Sequence, residues 1–328
     1  MTIVKSVRPF LATTVGCLLA AWVTTCQAYE APIIRHSGMA EASAAVPIGT
    51  NLVLIANDGD NRLRLFRADR PGGPLASYDL DAWYPPFGKN SEMDLEGAAR
   101  ITNRIFWIGS HSRNKEGKPR LNRHVFLATD LSSETAATPK LAPVGHPCRS
   151  LVEQWLGDPR TRELLGGDSP ADPEDINIEG LSVRAEGGLF VGFRSPLAHE
   201  KAILVPLLNP DEILSGKKAR FGDPATIDLD GQGIRDIAWT GREYYLIAGN
   251  SGGGGRSRLI RWAGPGHLPS PVHHLDLRHL NPEGIAVFGS PDQPKLLIVS
   301  DDGSQFENKV PGFADFQSLW YDPARKKR

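Results

Sequence analysis

Residues 178–196 read IEGLSVRAEGGLFVGFRSP, and this stretch decides the fold because it returns in altered form along almost the whole chain. An acidic residue opens it, followed by glycine and a small or apolar pair. A turn, a hydrophobic run and a polar loop complete what reads as a β-hairpin. Glu96-Gly97-Ala98-Ala99 leads in the same way to WIGSH, Asp236-Ile237-Ala238-Trp239 to IAGNS, and Glu283-Gly284-Ile285-Ala286 to IVSDDG. Glu41-Ala42-Ser43-Ala44, leading to IANDG, is a weaker first copy.

Each copy sits inside a longer run of short hydrophobic segments and turns, so the repeating unit is a four-stranded antiparallel meander of about 50 residues, the blade of a β-propeller. The fifth unit lacks an outermost strand. Residues 31–36, APIIRH, supply one, and closing the ring this way removes the exposed edge that a linear array would leave. The expectation is one all-β domain over residues 29–328, a five-bladed propeller, with a six-bladed ring as the alternative. That alternative arises because the openers stand at 41, 96, 179, 236 and 283, leaving one interval of 83 residues. The long interval holds GHPCRSLVEQWLGD, with apolar residues at 151, 152, 155 and 156 on one helical face. Asp158-Pro159 then offers an N-cap and a first-turn proline for a second short helix that Gly166 would end. A helical insertion over about 145–175 is expected in place of a sixth blade.

The 34 glycines and 26 prolines among 328 residues suit a fold of many strands and tight turns. Lys and Arg number 37 against 38 Asp and Glu, a net charge of -1, so no global field recruits nucleic acid or an anionic membrane. Lys5 and Arg8, a largely apolar run over 9–23 and Cys26-Gln27-Ala28 read as an export signal cleaved near Ala28, over residues 1–28. The run is too short for a comfortable span, so no stable membrane insertion is expected after cleavage, and the location would be periplasmic or secreted. A lipoprotein anchored at Cys17 or Cys26 is the rival reading. The mature chain would keep Cys148 alone, which precludes an intramolecular disulfide.

In a propeller the inner strand of each blade runs along the central channel and the second strand returns beside it. Glu41, Glu96, Glu179, Asp236 and Glu283 open inner strands, while Asp58, His111, Arg194, Asn250 and Asp301 close second strands, so both sets converge on one mouth. Converging carboxylates repel unless compensated. Three solutions stay open: a bound Ca²⁺, pairing with Arg100, Arg194 and Arg235, or backbone N–H donors in a purely structural role. The metal-ligand candidates are Glu96, Glu179, Asp236, Glu283, Asn250 and Asp301. His111 reads as an exposed rim histidine, a metal ligand or general base against a surface histidine bonding a carbonyl. Arg194 reads as an anion clamp or as a partner for the carboxylates. Asp58-Gly59 reads as a hairpin turn before a ligand. No GxSxG elbow, HExxH or GxxxxGK[ST] loop is present.

DLEGAAR and WIGSHSRNK, INIEGLSV with GFRSPL, GIRDIAW with YYLIAGNSGG, and NPEGIAV occur in an order that resembles the exported bacterial family known as domain of unknown function 3616, over roughly residues 35–320. The resemblance implies the propeller but carries no activity. More distantly the Glu-Gly-Ile/Leu-Ala/Ser opener is similar to that of gluconolactonase-like and phytase-related esterase-like propellers, some of which hold a divalent metal at the channel mouth. The leading expectation is a Ca²⁺-assisted hydrolase of a small phosphoester, ester or lactone, with Glu96, Glu179 and Glu283 on the metal, His111 as base and Arg194 as clamp. The competing class is a non-catalytic propeller binding a small molecule, peptide, glycan or envelope partner at its rim.

Overall fold

A computed structural model describes residues 32–86, 91–114, 116–133, 138–165, 176–252, 255–303 and 315–325. The expected signal segment, its two cysteines and Gly166 lie outside the described residues. Five four-stranded antiparallel sheets form a five-bladed propeller. The chain starts with β1 (Ile33–Ser37) and builds blade one from β2 (Ala42–Ile48), β3 (Leu52–Asn57), β4 (Arg62–Arg67) and β5 (Ala76–Asp79). Blade two follows with β6 (Leu95–Ile101), β7 (Arg104–Gly109), β8 (Phe126–Leu131) and β9 (Leu141–Cys148). After the helices α1 (Leu151–Gly157) and α2 (Pro159–Leu164), blade three comprises β10 (Asn177–Val183), β11 (Leu189–Ser195), β12 (Ala202–Leu207) and β13 (Ala225–Ile227). Blade four has β14 (Gly233–Trp239), β15 (Tyr244–Gly249), β16 (Arg258–Trp262) and β17 (Ser270–Pro271). Blade five has β18 (Pro282–Ser290), β19 (Gln293–Ser300) and β20 (Asp315–Tyr321). Its fourth strand is β1, which pairs antiparallel with β20 from Ile33 opposite Leu319 to Ser37 opposite Asp315. The N-terminal strand thus closes the ring, as the incomplete fifth repeat requires.

Burial follows the same plan. The second strands are largely buried, and β3 (LVLIAN) and β15 (YYLIAG) from end to end, because a blade is covered on both faces. Five hydrophobic clusters fill the five blade-to-blade interfaces. Trp107 of blade two packs against Val46 and Leu54 of blade one, Ile108 joins Leu181 and Val191 of blade three, and Phe190 joins Tyr244 and Trp262 of blade four. Tyr245 meets Ile298, and Val53 meets Leu297, across the two interfaces of blade five.

The helical pair is extra material laid on one interface. Leu151, Val152 and Trp155 of α1 are buried against blades two and three, the face that their spacing marks out. Asp158 caps α2 by accepting from the Arg160 backbone N–H at 2.9 Å, with Pro159 in the first turn. The pair starts later than expected, since β9 runs on to Cys148 as the outermost strand of blade two. Blade four ends in a two-residue β17 at Ser270–Pro271, before the VHHLDL segment. No helix among the described residues is long and apolar enough to cross a membrane.

Candidate channel-mouth site

The inner strands β2, β6, β10, β14 and β18 touch one another in sequence around the axis, and each carries a register break near its start. In blade two, Leu95 pairs with Gly109 and Gly97 with Ile108, so Glu96 bulges out of the ladder. Glu179 and Glu283 are bulged in the same way in blades three and five. In blade four the ladder skips from Ile234 to Asp236, and the bulged residue is Arg235. The register therefore puts Arg235, and not Asp236, at the position of the three glutamates. Asp236 falls where the other blades carry Gly97, Gly180 and Gly284.

That displacement explains what Asp236 does. A Cβ on Gly97 would stand about 3.0 Å from the Leu181 backbone N and one on Gly284 would strike the Ser43 carbonyl, because the next inner strand passes there. In blade four the Asp236 carboxylate occupies this space instead, accepting from Ile285 N at 2.6 Å across the blade interface and from Ile237 N at 2.7 Å. It is a buried stitch between blades, and burial holds its pKa well above the carboxylate range.

Around the mouth the carboxylates divide into two arcs. In blades three to five, Arg235 lies between Glu179 and Glu283: its Nε is 3.3 Å from Glu179 Oε2 and its Nη2 is paired with Glu283 Oε1. Arg194 approaches Glu179 Oε1 at 2.5 Å and donates to the Asn250 carbonyl at 3.0 Å. Two asparagines complete the pattern from the residue two places before each glutamate. Asn177 Nδ2 donates to Glu179 and Asn281 Nδ2 to Glu283, each at 3.2 Å. Asn281 also donates to Asp301 at 3.1 Å and accepts from Arg235 Nη1 at 2.5 Å.

In blades one and two the same positions carry acids. Asp94 replaces the asparagine two residues before Glu96, and Asp58 stands at the end of β3 where Arg194 stands in blade three. An ionised aspartate cannot donate to its neighbour as asparagine does, so the three carboxylates confront one another, with one oxygen of each of Asp58, Asp94 and Glu96 within 4.8 Å of the others. Glu41 and Asp301, joined by a backbone bridge, extend the arc. Burial and the charges of Asp301, Glu41 and Asp94 push the Asp58 pKa up to about 8, and burial lifts Asp94 to about 7 despite Arg123 at 2.9 Å. Glu96 is raised well above its usual value by burial and by Asp94, Glu179 and Asp58. Asp58 Oδ1 is buried with no hydrogen-bond partner among the described residues. Two Ca²⁺ ligands at about 2.4 Å are at most about 4.8 Å apart, so the spacing of the three oxygens meets the pairwise limit for a shared ion.

The other residues singled out from the sequence divide accordingly. Glu96 and Asp301 lie in the acidic arc, Glu179 and Glu283 in the ion-paired arc, and Asn250 is exposed at its edge with its amide oxygen 3.3 Å from Gln232 Nε2. Arg100 is at the far end of β6, where it donates to the Thr102 and Pro47 carbonyls. His111 is buried at 3% exposure and not open to the rim. Its Nδ1 is 2.8 Å from the Gly109 carbonyl, its ring packs on Trp155 and His124, and burial drives its pKa down to about 3. Asp94 is the residue that sequence reading missed. Its signal is present, since DLEG, NIEG and NPEG share Asp/Asn two places before Glu-Gly, and GIRD aligns with them at Arg235.

Solved structures with related architecture share little sequence. The PQQ-bound aldose sugar dehydrogenase of Streptomyces coelicolor is 14% identical, with 89% of this chain and 99% of that chain covered and a TM-score of 0.44. The glutaminyl cyclase of Myxococcus xanthus is 10% identical over 89% and 99%, with a TM-score of 0.45. The calcium-binding protein regucalcin of Agrobacterium tumefaciens is 10% identical over 87% and 91%, with a TM-score of 0.37. Similarity at this level says nothing about activity. No curated protein matches the chain in sequence. The profile of one family matches residues 128–310, more than half of the chain, and so the protein belongs to the family described as Protein of unknown function (DUF3616).

Proposed function

We propose that the protein holds a divalent cation, Ca²⁺ by its oxygen donors, on Asp58, Asp94 and Glu96, and uses it to capture and hydrolyse a small phosphoester, ester or lactone in the channel mouth. The observation that carries the reading is the close approach of three carboxylates, with Arg123 beside Asp94, in place of the shared arginine and the asparagine donors at Glu179 and Glu283. Ca²⁺ takes 6–8 oxygens, so three carboxylates leave positions for water and ligand. The cation would polarise the scissile oxygen. With His111 buried, a carboxylate of the same arc would accept the proton. Glu41 suits that role, because it is half-exposed and its pKa is raised by burial, Asp301 and Asp60. Arg194 would orient an anionic group only at the expense of Glu179. The leader sequence supports export, with action in the periplasm or outside the cell.

One observation favours a second reading, a calcium-dependent binding propeller: both groups expected to do chemistry, His111 and Arg194, are engaged in the fold. Calcium titration by calorimetry, followed by turnover assays on a panel of phosphoesters, esters and lactones, separates the two. Calcium binding with turnover that Glu41→Gln abolishes supports the hydrolase, and calcium binding without turnover on any substrate supports the binding propeller. Absence of calcium binding overturns both.

A further inference from the structure

Blade two holds a second group of side chains with unmet hydrogen-bonding capacity, outside the acidic arc and beside the helical pair. The His111 backbone N–H donates to the Arg123 carbonyl at 3.2 Å, so the loop leaving β7 and the segment entering β8 set residues 111 and 124 side by side. Their imidazoles lie 5.4 Å apart between ring centroids, and Trp155 of α1 packs on His111 at 5.7 Å. His111 is 3% exposed and Trp155 is fully buried. Yet His111 Nε2 and Trp155 Nε1 have no hydrogen-bond partner among the described residues. A buried polar atom left unpaired is costly, so two on adjoining rings call for a bound species that the protein atoms do not supply.

The tautomer narrows the choice. His111 Nδ1 lies 2.8 Å from the Gly109 carbonyl, which can only accept, so Nδ1 carries the proton and Nε2 presents a lone pair. A histidine whose other ring nitrogen is tied to a backbone carbonyl in this way is oriented as a metal ligand. Burial holds the pKa of both imidazoles below the ordinary 6.5, which keeps them neutral and able to ligate near neutral pH. With metal–nitrogen bonds of about 2.0–2.1 Å, two imidazoles on one tetrahedral ion have ring centroids about 5.2 Å apart, close to the observed separation. We propose that His111 and His124 hold one divalent ion of the imidazole-seeking class, Zn²⁺ or Cu²⁺, with water completing the coordination and one such water accepting from Trp155 Nε1. A hard, oxygen-seeking ion does not suit these donors. The charged neighbours of His124 are Glu153, which favours a cation, and Arg113 and Arg149, which oppose one, so the affinity comes from the nitrogen ligands. His124 is partly exposed and gives the ion a way in.

The test is calorimetric titration of the purified protein with Zn²⁺, and separately with Cu²⁺, in millimolar Ca²⁺ to keep the carboxylates from competing. The expected result is one saturable site per chain, with affinity falling about tenfold or more in His124→Ala and unchanged in His267→Ala, at an exposed position. Electron paramagnetic resonance of the Cu²⁺ form should show two coupled imidazole nitrogens in the parent and one in His124→Ala. His111→Gln should likewise remove the site. Its folding is checked by thermal melt, and the partly exposed His124→Ala carries the test if the core variant does not fold. Absence of saturable Zn²⁺ and Cu²⁺ binding, or binding undiminished in folded His124→Ala, overturns the inference.

Discussion

The two arcs of the acidic mouth are built on the same backbone plan and differ in the groups around their glutamates. In blades three to five, Glu179 and Glu283 are bulged residues shared by Arg235, steadied by an asparagine two places earlier. In blade two the same bulge presents Glu96, but the earlier residue is Asp94 and the neighbouring strand end brings Asp58. Asp94 in place of an asparagine and Asp58 in place of Arg194 thus turn an internal brace into three converging carboxylates. The comparison teaches that the repeat supplies the geometry, while its exceptions supply the chemistry.

The largest effect is expected where the ion-paired arc is broken. Arg235→Met leaves Glu179 and Glu283 buried without their shared cation, and should cost about 3–5 kcal/mol of stability in denaturant unfolding. An indistinguishable unfolding midpoint would show that the two arcs do not differ in compensation. In the acidic arc the sign reverses. Asp94→Asn recreates the Asn-x-Glu-Gly pattern of the other blades, so the metal-free variant should be more stable than the parent by about 1 kcal/mol, while losing calcium binding in calorimetry. Destabilisation with calcium affinity intact would contradict the assignment.

Next in size is the pH effect of the acidic arc, to which the buried Asp236 adds with the same sign. Asp58 and Asp94 have folded-state pKa values of about 8 and about 7 against 3.8 unfolded, so the folded protein holds their protons over that interval. Their favourable contribution is complete below about pH 4 and is lost as pH rises through 7 and 8. Melts in EDTA should therefore fall from pH 6 to pH 8.5, and saturating calcium should flatten the slope. His111 acts in the other direction: depressed to about 3, it stabilises above its ordinary value of 6.5 and its contribution is lost as pH falls towards 3. The smallest effect is expected at the exposed edge, where Asn250→Ala should change stability by no more than about 0.5 kcal/mol.

The ring was legible in the sequence because its signal is repeated. Five openers, the hydrophobic second strands and the missing outer strand each point to a closed propeller, and residues 31–36 had only one place to go. Outer strands were harder to place. β9 is mostly exposed and carries no apolar alternation, so its extension to Cys148 left no hydrophobic trace. The site was legible in part. Matching copies by acidic residue put Asp236 beside the glutamates, whereas the hydrogen-bond register places Arg235 there, a difference that GIRD shows only when aligned with NIEG at the preceding small residue. His111 lies one residue beyond Ser110, which pairs with Asp94, and burial by Trp155 came from an insertion that the repeat does not encode.

The most direct test of the cation site is the thermal melt of the purified protein at pH 8, first in EDTA and then in millimolar Ca²⁺. At a hundredfold excess over the dissociation constant, an ion that binds only the folded chain adds about 2.7 kcal/mol, and the account predicts a correspondingly clear rise in Tm. An unchanged Tm would contradict it, and would leave the acidic arc with no bound metal.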